Sequence, residues 1–184
     1  MIMDIKYKIE FFSNWHCGSG LAAGADVDAL VVKDADGLPY VPGKTIKGLL
    51  REAAEELNGT TSLLNRIFGL PGEAKLSETN TTRVGESFFG NAILPEGAAI
   101  VSSNLTPHLY QTFSSTSIDE KSGTAKDNTL RRIETVVPCS LEGEIRNVPE
   151  GGTALIEEAM QFIKRMGTGR NRGYGRCKIS VIKE

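Results

Sequence analysis

The sequence predicts an α+β protein, a ferredoxin-like antiparallel sheet with two helices on one face and a long polar insertion. The first observation is the order of hydrophobic patterns: strand, short strand, helix, strands, a long polar stretch, strands, helix and strand. The second is the size of the chain, because 184 residues are about one domain's worth and enough to bury a core. We therefore expect one domain over residues 1–184.

The first half of the chain predicts two strands and two helices. Apolar and charged side chains alternate from Ile5 to Phe11, which is typical of a half-buried strand, and Val27 to Lys33 predicts a second short strand. A helix is expected between Pro42-Gly43 and Asn58-Gly59, and a shorter one from Ser62 to Phe68. The first of these helices would bury a stripe that consists of Ile46, Leu49, Leu50, Ala53 and Leu57. Residues 70–82 are polar and predict a loop.

The middle of the chain predicts strands on either side of an insertion. The segments Arg83 to Leu94 and Ala98 to Leu105 are strand-like, and so are Leu130 to Cys139 and Leu141 to Val148. Residues 106–129 between them are rich in Ser, Thr, Asp and Lys and have few apolar anchors. A polar stretch of this length inside a compact domain is usually functional or mobile.

The last part of the chain predicts a helix, a glycine-rich loop and a strand. Thr153 is the expected N-cap of the helix, and Cys177, Ile179 and Val181 alternate in the strand. The helix would bury a stripe made of Leu155, Ala159, Phe162, Ile163 and Met166.

Charge is unevenly distributed along the chain. The 21 basic and 23 acidic residues give a net charge of -2, which excludes a basic nucleic-acid binder of the usual uniform kind. The segment from Lys164 to Lys183 nevertheless holds no acidic residue. Its basic residues are Lys164, Arg165, Arg170, Arg172, Arg176, Lys178 and Lys183. Such a segment can form an anion-binding face that the average charge hides.

Several classes of protein are excluded or disfavoured by simple patterns. The longest apolar runs are far shorter than a membrane span, and the first residues lack the pattern of a signal peptide. Three cysteines that are distant in sequence form neither a disulfide framework nor a CxxC zinc motif. We therefore expect a reduced, cytoplasmic protein with no membrane association.

The sequence Gly43-Lys44-Thr45 does not indicate a nucleotide-binding P-loop, because Leu38 stands where the motif requires its first glycine. What remains is a basic helix start, in which Lys44, Lys47 and Arg51 share one face. Backbone N–H groups at a helix start also attract phosphate. The alternative interpretation is a solvated basic face.

The segment Gly167 to Arg176 combines four glycines with Arg170, Arg172 and Arg176. Its spacing and its position after a helix differ from a dinucleotide-binding fingerprint. Glycines allow close approach of the backbone to a ligand, and arginines contact phosphates and stack on bases. This composition favours polyanion binding over a plain turn.

Few residues in the sequence suggest catalysis. Asp26 and Asp28 are two residues apart and would face the same side of a strand, where carboxylates can bind a divalent cation or act as a general base. Solvated strand carboxylates are the commoner case. His16 and His108 are too few for a zinc site, although His16, in a glycine-rich loop, could contact phosphate or act as a base.

Taken in order, these motifs resemble the RAMP superfamily of CRISPR-associated proteins, and within it the Cas7-type (Csm3- and Cmr4-like) backbone subunits of type III effector complexes. The resemblance covers most of the chain. It departs from the family at the loop at 70–82, which is short for the family's lid, and at Lys44-Thr45, where the family often has two small serines after the proline-glycine. The matching segments are His16 to Gly20, Val27 to Asp34, Leu38 to Arg51, Ile67 to Gly69, Ser87 to Ala92, the thumb region at 106–138, and Gly167 to Arg176.

The resemblance implies a modified RRM-like fold that stacks head-to-tail along a guide crRNA, with a thumb that displaces bases. It implies that Asp28 is the catalytic aspartate and cleaves paired target RNA with a divalent metal, Mg²⁺, for which Asp28 would be a ligand. Other type III subunits, including a Cas10-like large subunit, would be partners. The expected RNA-binding residues are His16, Lys44, Lys47, Arg51, Arg170, Arg172 and Arg176.

Three alternatives remain open on the sequence. The chain could be a purely structural RNA-binding subunit in which Asp28 is an ordinary surface carboxylate. It could be a Cas6-like guide-processing endoribonuclease that needs no metal and uses His16 as its base. A ferredoxin-like protein-interaction module is the third, and the basic segment after Lys164 argues against it.

Overall fold

The computed structural model describes residues 2–22, 27–57, 59–70 and 84–183. It confirms the α+β class, with antiparallel sheets and helices. Short 3-10 turns cover Thr106–Leu109 and Arg170–Arg172. The elements in chain order are β1 (Met3–Phe11), α1 (Gly43–Glu56), α2 (Thr61–Phe68), β2 (Phe88–Phe89), α3 (Gly97–Ser102), β3 (Tyr110–Ser115), β4 (Arg131–Val136), β5 (Ser140–Val148), α4 (Gly152–Phe162) and β6 (Cys177–Val181).

The main sheet has four strands in the order β2-β5-β1-β6, and each adjacent pair is antiparallel. With the two longest helices, the chain order is β1-α1-β2-β5-α4-β6, the sequence of elements in a ferredoxin-like motif. Strand β6 ends the sheet on one side and β2 ends it on the other.

The core lies between one face of this sheet and helices α1 and α4. Alternation along β1 buries its odd-numbered side chains from Ile5 to Phe11, as the sequence predicts, and leaves Lys6 and Glu10 on the opposite, polar face. The helices cover the apolar face with fully buried side chains, which are Ile46 and Leu50 of α1 and Ile156 and Met160 of α4.

The three cysteines form no disulfide. Burial, with a contribution from the neighbouring Cys177 thiol, raises the pKa of Cys17 to about 12. Burial likewise raises the pKa of Cys177 to about 11. Both thiols are therefore neutral at physiological pH and behave as small core side chains.

A second sheet consists only of the hairpin β3–β4, which lies in the region predicted as the thumb. It joins the domain through Trp15, whose N–H and C=O both bond to Val136 at 3.0 and 2.8 Å. The Trp15 ring stacks on Phe11 with centroids 4.5 Å apart, so the base of the hairpin is fixed to the end of β1.

Three predicted strands are wrong or reduced in the structure. Of the described part of Arg83 to Leu94, only Phe88–Phe89 form a strand, with isolated bridges at Ala92 and Ile93. Ala98 to Leu105 was expected to be extended, but residues 97–102 form helix α3, because the partly buried Ile100 and Val101 follow buried Gly97 at helical spacing and the alanines between them are exposed. Val27 to Lys33 makes isolated bridges through Ala29, Val31 and Lys33 rather than a regular strand.

Helix α4 begins earlier than the sequence predicts. Its N-cap is Gly151, not Thr153, because the Gly152 N–H closes a turn on the Pro149 carbonyl at 2.9 Å and starts the helix there. Phe162 was expected in the buried stripe but is 54% exposed, and the buried stripe instead includes Ile156 and Met160.

Most of the polar loop at 70–82 lies outside the described residues, as does Arg83. Among the residues that the structure describes, no helix is long and apolar enough to cross a membrane.

The start of α1 imposes a requirement for glycine that can be tested. A Cβ at Gly43 would lie 2.0 Å from the Phe89 carbonyl oxygen, whereas a Cβ at Gly48, in the same helix, would meet no atom within 4 Å. We expect Gly43→Ala to lower the free energy of unfolding by about 1–3 kcal/mol through overpacking. Gly48→Ala should raise it by about 1 kcal/mol, because alanine favours the helix.

Urea denaturation followed by circular dichroism measures both changes. Equal effects of the two substitutions would contradict a specific contact between the start of α1 and strand β2.

Candidate nucleic-acid interface

The glycine-arginine loop, Gly167 to Arg176, is attached to the segment that follows β1. The Thr168 N–H bonds to the His16 carbonyl at 2.9 Å, and the Gly175 N–H bonds to the Asn14 carbonyl at 2.8 Å. The Arg176 N–H bonds to the Ser13 hydroxyl at 3.0 Å. The loop therefore has a fixed position relative to the main sheet.

Two of its glycines are needed for this attachment. Gly167 has a φ of +86°, and a Cβ there would lie 2.4 Å from the His16 carbonyl oxygen. Gly175 has a φ of +66°, and a Cβ there would lie 1.9 Å from the Met166 carbonyl oxygen. These glycines serve the close packing of the loop, and the exposed part between them is the 3-10 turn Arg170–Arg172.

His16 does not occupy the position expected of a phosphate contact. It is buried, only 2% exposed, and its Nδ1 lies 2.6 Å from the Glu134 carbonyl oxygen. On the other side, its Nε2 lies close to Gly18, at 3.1 Å from where a Cβ would stand. In this structure His16 joins the loop that contains Gly18 to strand β4, and its burial lends no support to the RNA contact, which stays a prediction.

The hairpin and the glycine-arginine loop enclose a cleft of about 650 Å³. One face of the hairpin supplies Phe113, Ser115, Arg131 and Ile133, which the strand register places opposite one another in pairs. The Phe113 ring makes an edge contact with Tyr174 of the loop, with centroids 5.7 Å apart and planes at 67°. This aromatic contact joins the two walls of the cleft.

The cleft carries positive charge only. Its charged lining residues are Arg131, Arg170 and Arg172, all exposed, and no carboxylate is among the residues that line it. Hydroxyl and amide groups of Ser115, Thr168 and Asn171 add hydrogen-bonding capacity. Arginines next to exposed aromatic rings bind phosphates and stack on bases, so the cleft suits a single-stranded nucleic acid.

A charged cluster fixes the hairpin from its other face. Glu134 accepts a hydrogen bond from the Val31 N–H at 3.0 Å and pairs with Lys33 at 2.8 Å. The Lys33 ammonium lies 3.9 Å from the centre of the Tyr110 ring, and the Tyr110 hydroxyl donates to the Gly37 carbonyl. Burial, with nearby Glu134 and Asp34, holds the pKa of Tyr110 well above its usual range, so the phenol stays protonated as a donor.

Asp28 lies on the outer edge of strand β4. Its N–H bonds to the Arg132 carbonyl at 2.9 Å, and its Oδ2 accepts the Arg132 N–H at 2.6 Å. The side chain is exposed. Asp28 does not line the cleft, but the residues on either side of Arg132, namely Arg131 and Ile133, do. The structure thus brings the predicted catalytic carboxylate to the strand that forms one wall.

A divalent metal at Asp28 would have few protein ligands. No group of three or more His, Cys, Asp or Glu side chains suited to a metal ion occurs among residues 2–22, 27–57, 59–70 and 84–183. Asp26, the other carboxylate of the predicted pair, lies outside the described residues. Mg²⁺ commonly takes one or two carboxylates and completes its shell with phosphates and water, so one exposed carboxylate such as Asp28 is the kind of protein ligand it uses.

The basic start of α1 is less available than its sequence suggests. Arg51 bonds to Glu55 at 2.8 Å and to the Gly69 carbonyl at 2.9 Å, so its guanidinium supports the end of α2. Lys44 is exposed and Lys47 partly so. Asn91 accepts the first N–H of the helix, that of Gly43, at 2.9 Å. The helix start therefore offers two lysines and few free N–H groups to an anion.

Arg176 belongs to a different part of the surface. Its guanidinium lies 6.0 Å from the centre of the Phe12 ring, and it lines a groove beside β6 rather than the cleft. Of the three arginines predicted to act together, the structure brings two to the cleft.

Sequence reasoning missed Arg131, Phe113 and Tyr174. Arg131 occurs in a predicted strand, and Phe113 is one of the few aromatic residues of the polar insertion. The available signal was that an aromatic residue of the polar insertion and an arginine of the next predicted strand accompany an arginine-rich loop. That the two share one face of the hairpin depends on its register, which the sequence does not reveal.

Comparison with known proteins identifies the family. A family model described as the RAMP superfamily matches residues 8–178, and the chain belongs to that superfamily. No curated protein matches the chain in sequence.

Solved structures share its fold. A chain of "Cryo-EM structure of the Type III-B Cmr-beta bound to cognate target RNA" superposes with a TM-score of 0.76 at 9% identity, covering 97% of both chains. A chain of "Type III-B Cmr-beta Cryo-EM structure of the Apo state" gives 0.74 at 11% identity, covering 99% of this chain and 98% of that one.

The charged cluster behind the hairpin leads to a prediction. Glu134→Ala removes the acceptor of the buried Val31 N–H, and we expect a loss of about 1–3 kcal/mol in the free energy of unfolding. Glu134→Gln keeps an acceptor of the same length and removes only the charge. Urea denaturation should therefore show a smaller loss for the glutamine variant. Equal losses would mean that the ion pair with Lys33, rather than the backbone bond, fixes the hairpin.

Proposed function

We propose that this chain is a Cas7-type backbone subunit of a CRISPR type III interference complex and binds guide crRNA in the cleft. The observation that carries the proposal is the carboxylate-free cleft, in which Arg131, Arg170 and Arg172 surround the Phe113–Tyr174 contact. Membership of the RAMP superfamily supports it, and so does the fold shared with chains of a complex that binds target RNA. Its partners would be guide and target RNA, neighbouring copies in head-to-tail order, and a Cas10-like large subunit.

Within this proposal, the arginines bind phosphates without reading sequence, because guanidinium groups bind the RNA backbone whatever the bases are. The aromatic rings stack on bases, which is equally tolerant of sequence. A backbone subunit needs both properties, since it must accept any guide.

We further propose that Asp28 carries cleavage of the bound target RNA. An exposed carboxylate next to a phosphate-binding wall can take the proton of a 2′-hydroxyl as its oxygen attacks the adjacent phosphorus and the bond to the 5′-oxygen breaks. Mg²⁺ shared by Asp28 and a phosphate would offset the negative charge that develops there. The Arg132 N–H holds the carboxylate in place through Oδ2 and leaves Oδ1 for this work.

A non-catalytic RNA-binding subunit is the second candidate, and one contact favours it. Asp28 already has a structural role, because its carboxylate satisfies a backbone N–H on the edge of β4 that faces away from β3. A Cas6-like endoribonuclease is disfavoured, since the base it would need, His16, is buried and bonded to the Glu134 carbonyl.

RNA binding in the cleft predicts a specific salt dependence. Anisotropy of a labelled single-stranded RNA across a salt series should show that Arg131/Arg170/Arg172→Ala weakens binding and reduces the slope of log K against log salt by up to about 2. The matched control, Arg176/Lys178/Lys183→Ala, removes three charges that line the other groove. It should keep the wild-type slope. Equal losses in both variants would contradict binding in the cleft.

Asp28 is tested by two substitutions that separate charge from structure. Asp28→Asn retains an acceptor for the Arg132 N–H, whereas Asp28→Ala removes it. In complexes reconstituted with guide RNA, both variants should cut target RNA at least about 100-fold more slowly and still bind guide RNA. Only the alanine variant should lose stability, by about 1 kcal/mol.

Chelation gives the control, because EDTA should stop a cleavage that depends on metal and spare one that depends on histidine. Undiminished cutting by Asp28→Asn would exclude the catalytic role, and loss of guide binding by both variants would point to a purely structural one.

A further inference from the structure

Strand β6 has an open edge. The Phe12 N–H bonds to the Arg176 carbonyl at 2.8 Å and the Ile182 N–H to the Lys6 carbonyl at 2.9 Å, so the even-numbered residues of this segment turn their backbone groups toward β1. The odd-numbered residues turn theirs outward. The Cys177 N–H points away from β1 in this way and donates to the Lys164 carbonyl at 2.9 Å.

Beyond Cys177, this edge of β6 pairs with no strand among the residues that the structure describes. Ile179 and Val181 direct both N–H and C=O groups away from β1, and within the described part of the chain no strand pairs with them on that side. These groups alternate along the strand with the spacing that another strand would match.

A groove of about 840 Å³ runs along this edge, between β6 and α4. Buried side chains of Met160, Ile163 and Ile179 form its apolar floor, and the half-exposed Phe12 ring is also part of its lining. An added strand would direct alternate side chains onto this floor.

The groove is also strongly basic. Its lining contains one carboxylate, that of Glu157, against the exposed basic side chains of Lys164, Arg165, Arg176, Lys178 and Lys183. This balance attracts an acidic ligand and repels a basic one. The groove shares no lining residue with the cleft of the glycine-arginine loop.

We propose that the edge of β6 is a docking site for an extended acidic segment of a partner protein, which adds to the sheet as a further strand. Charge complementarity selects an acidic ligand, and the backbone pattern selects a peptide over RNA. The phosphates of RNA, to which basic side chains bind, offer only acceptors and so match the outward N–H groups of Ile179 and Val181 but not their outward carbonyls. A strand supplies donors and acceptors together. The proposal does not depend on RNA binding in the cleft.

The same charges have another known use, because lysines on an edge strand prevent pairing between copies of a protein. The experiment must therefore distinguish a docking site from a merely protected edge. It uses the full chain and a labelled eight-residue peptide of alternating valine and glutamate as the probe. A valine-lysine peptide of equal length and a labelled oligouridine are the comparison ligands.

We expect the valine-glutamate peptide to bind and to slow hydrogen exchange at the Ile179 and Val181 amides, with weaker binding at high salt. The valine-lysine peptide should bind at least about tenfold more weakly. Val181→Pro removes an outward N–H that β1 does not use, and it should weaken binding by about tenfold or more. Val181→Ala keeps that N–H and should bind within about threefold of the wild type.

Several results would overturn the proposal. Absence of peptide binding to the wild type would indicate a protected edge only. Equal binding of the two peptides would remove the selectivity on which it rests. Stronger protection of the two amides by oligouridine would assign the groove to RNA. The hydrogen-exchange measurement on the wild type decides the matter even where the proline variant does not fold.

Discussion

The cleft depends on one short segment, Asn14 to His16, which is hydrogen-bonded on both sides. Trp15 exchanges two backbone bonds with Val136 at the base of the hairpin, while the carbonyls of Asn14 and His16 accept N–H groups of the glycine-arginine loop. The Asn14 side chain adds bonds to Gln111 and Thr135 of the hairpin. Both walls of the cleft are therefore positioned by the same three residues. The constraint on the loop is steric, because Gly167 approaches the His16 carbonyl too closely for any side chain.

The distribution of charge follows from how the carboxylates are used. Glu134 forms an ion pair with Lys33 and accepts a backbone N–H. Glu55 forms an ion pair with Arg51, and Glu86 forms one with Arg66. The cleft itself contains none, so a chain with a net charge of -2 still has a positive surface there. The net charge sums residues from all sides of the protein. A bound phosphate interacts strongly only with the charged groups within about one Debye length of it.

Patterns of local sequence predicted most of the fold. The β1 alternation, the start of α1 at Pro42-Gly43 and the end of α2 at Gly69 depend on neighbours in sequence, and the structure agrees with them. The prediction of a strand in place of helix α3 was wrong, because a few apolar residues fit both the strand and the helix period. The predicted start of α4 was wrong because a turn at Gly151 and Gly152 begins the helix earlier. In the site, composition identified the glycine-arginine loop. It could not reveal that His16 is buried, or that Arg131 and Phe113 face Tyr174, since these depend on hairpin register and long-range packing.

The two bonds between Asp28 and Arg132 have a mechanical consequence. Asp28 is carried on the outer edge of β4, and Arg131 and Ile133 of the same strand form the wall of the cleft. Any rotation of the hairpin about its base would move the Asp28 carboxylate and the wall of the cleft together. The distance between the carboxylate and the wall is thus set by the two bonds between Asp28 and Arg132, whatever angle the hairpin takes.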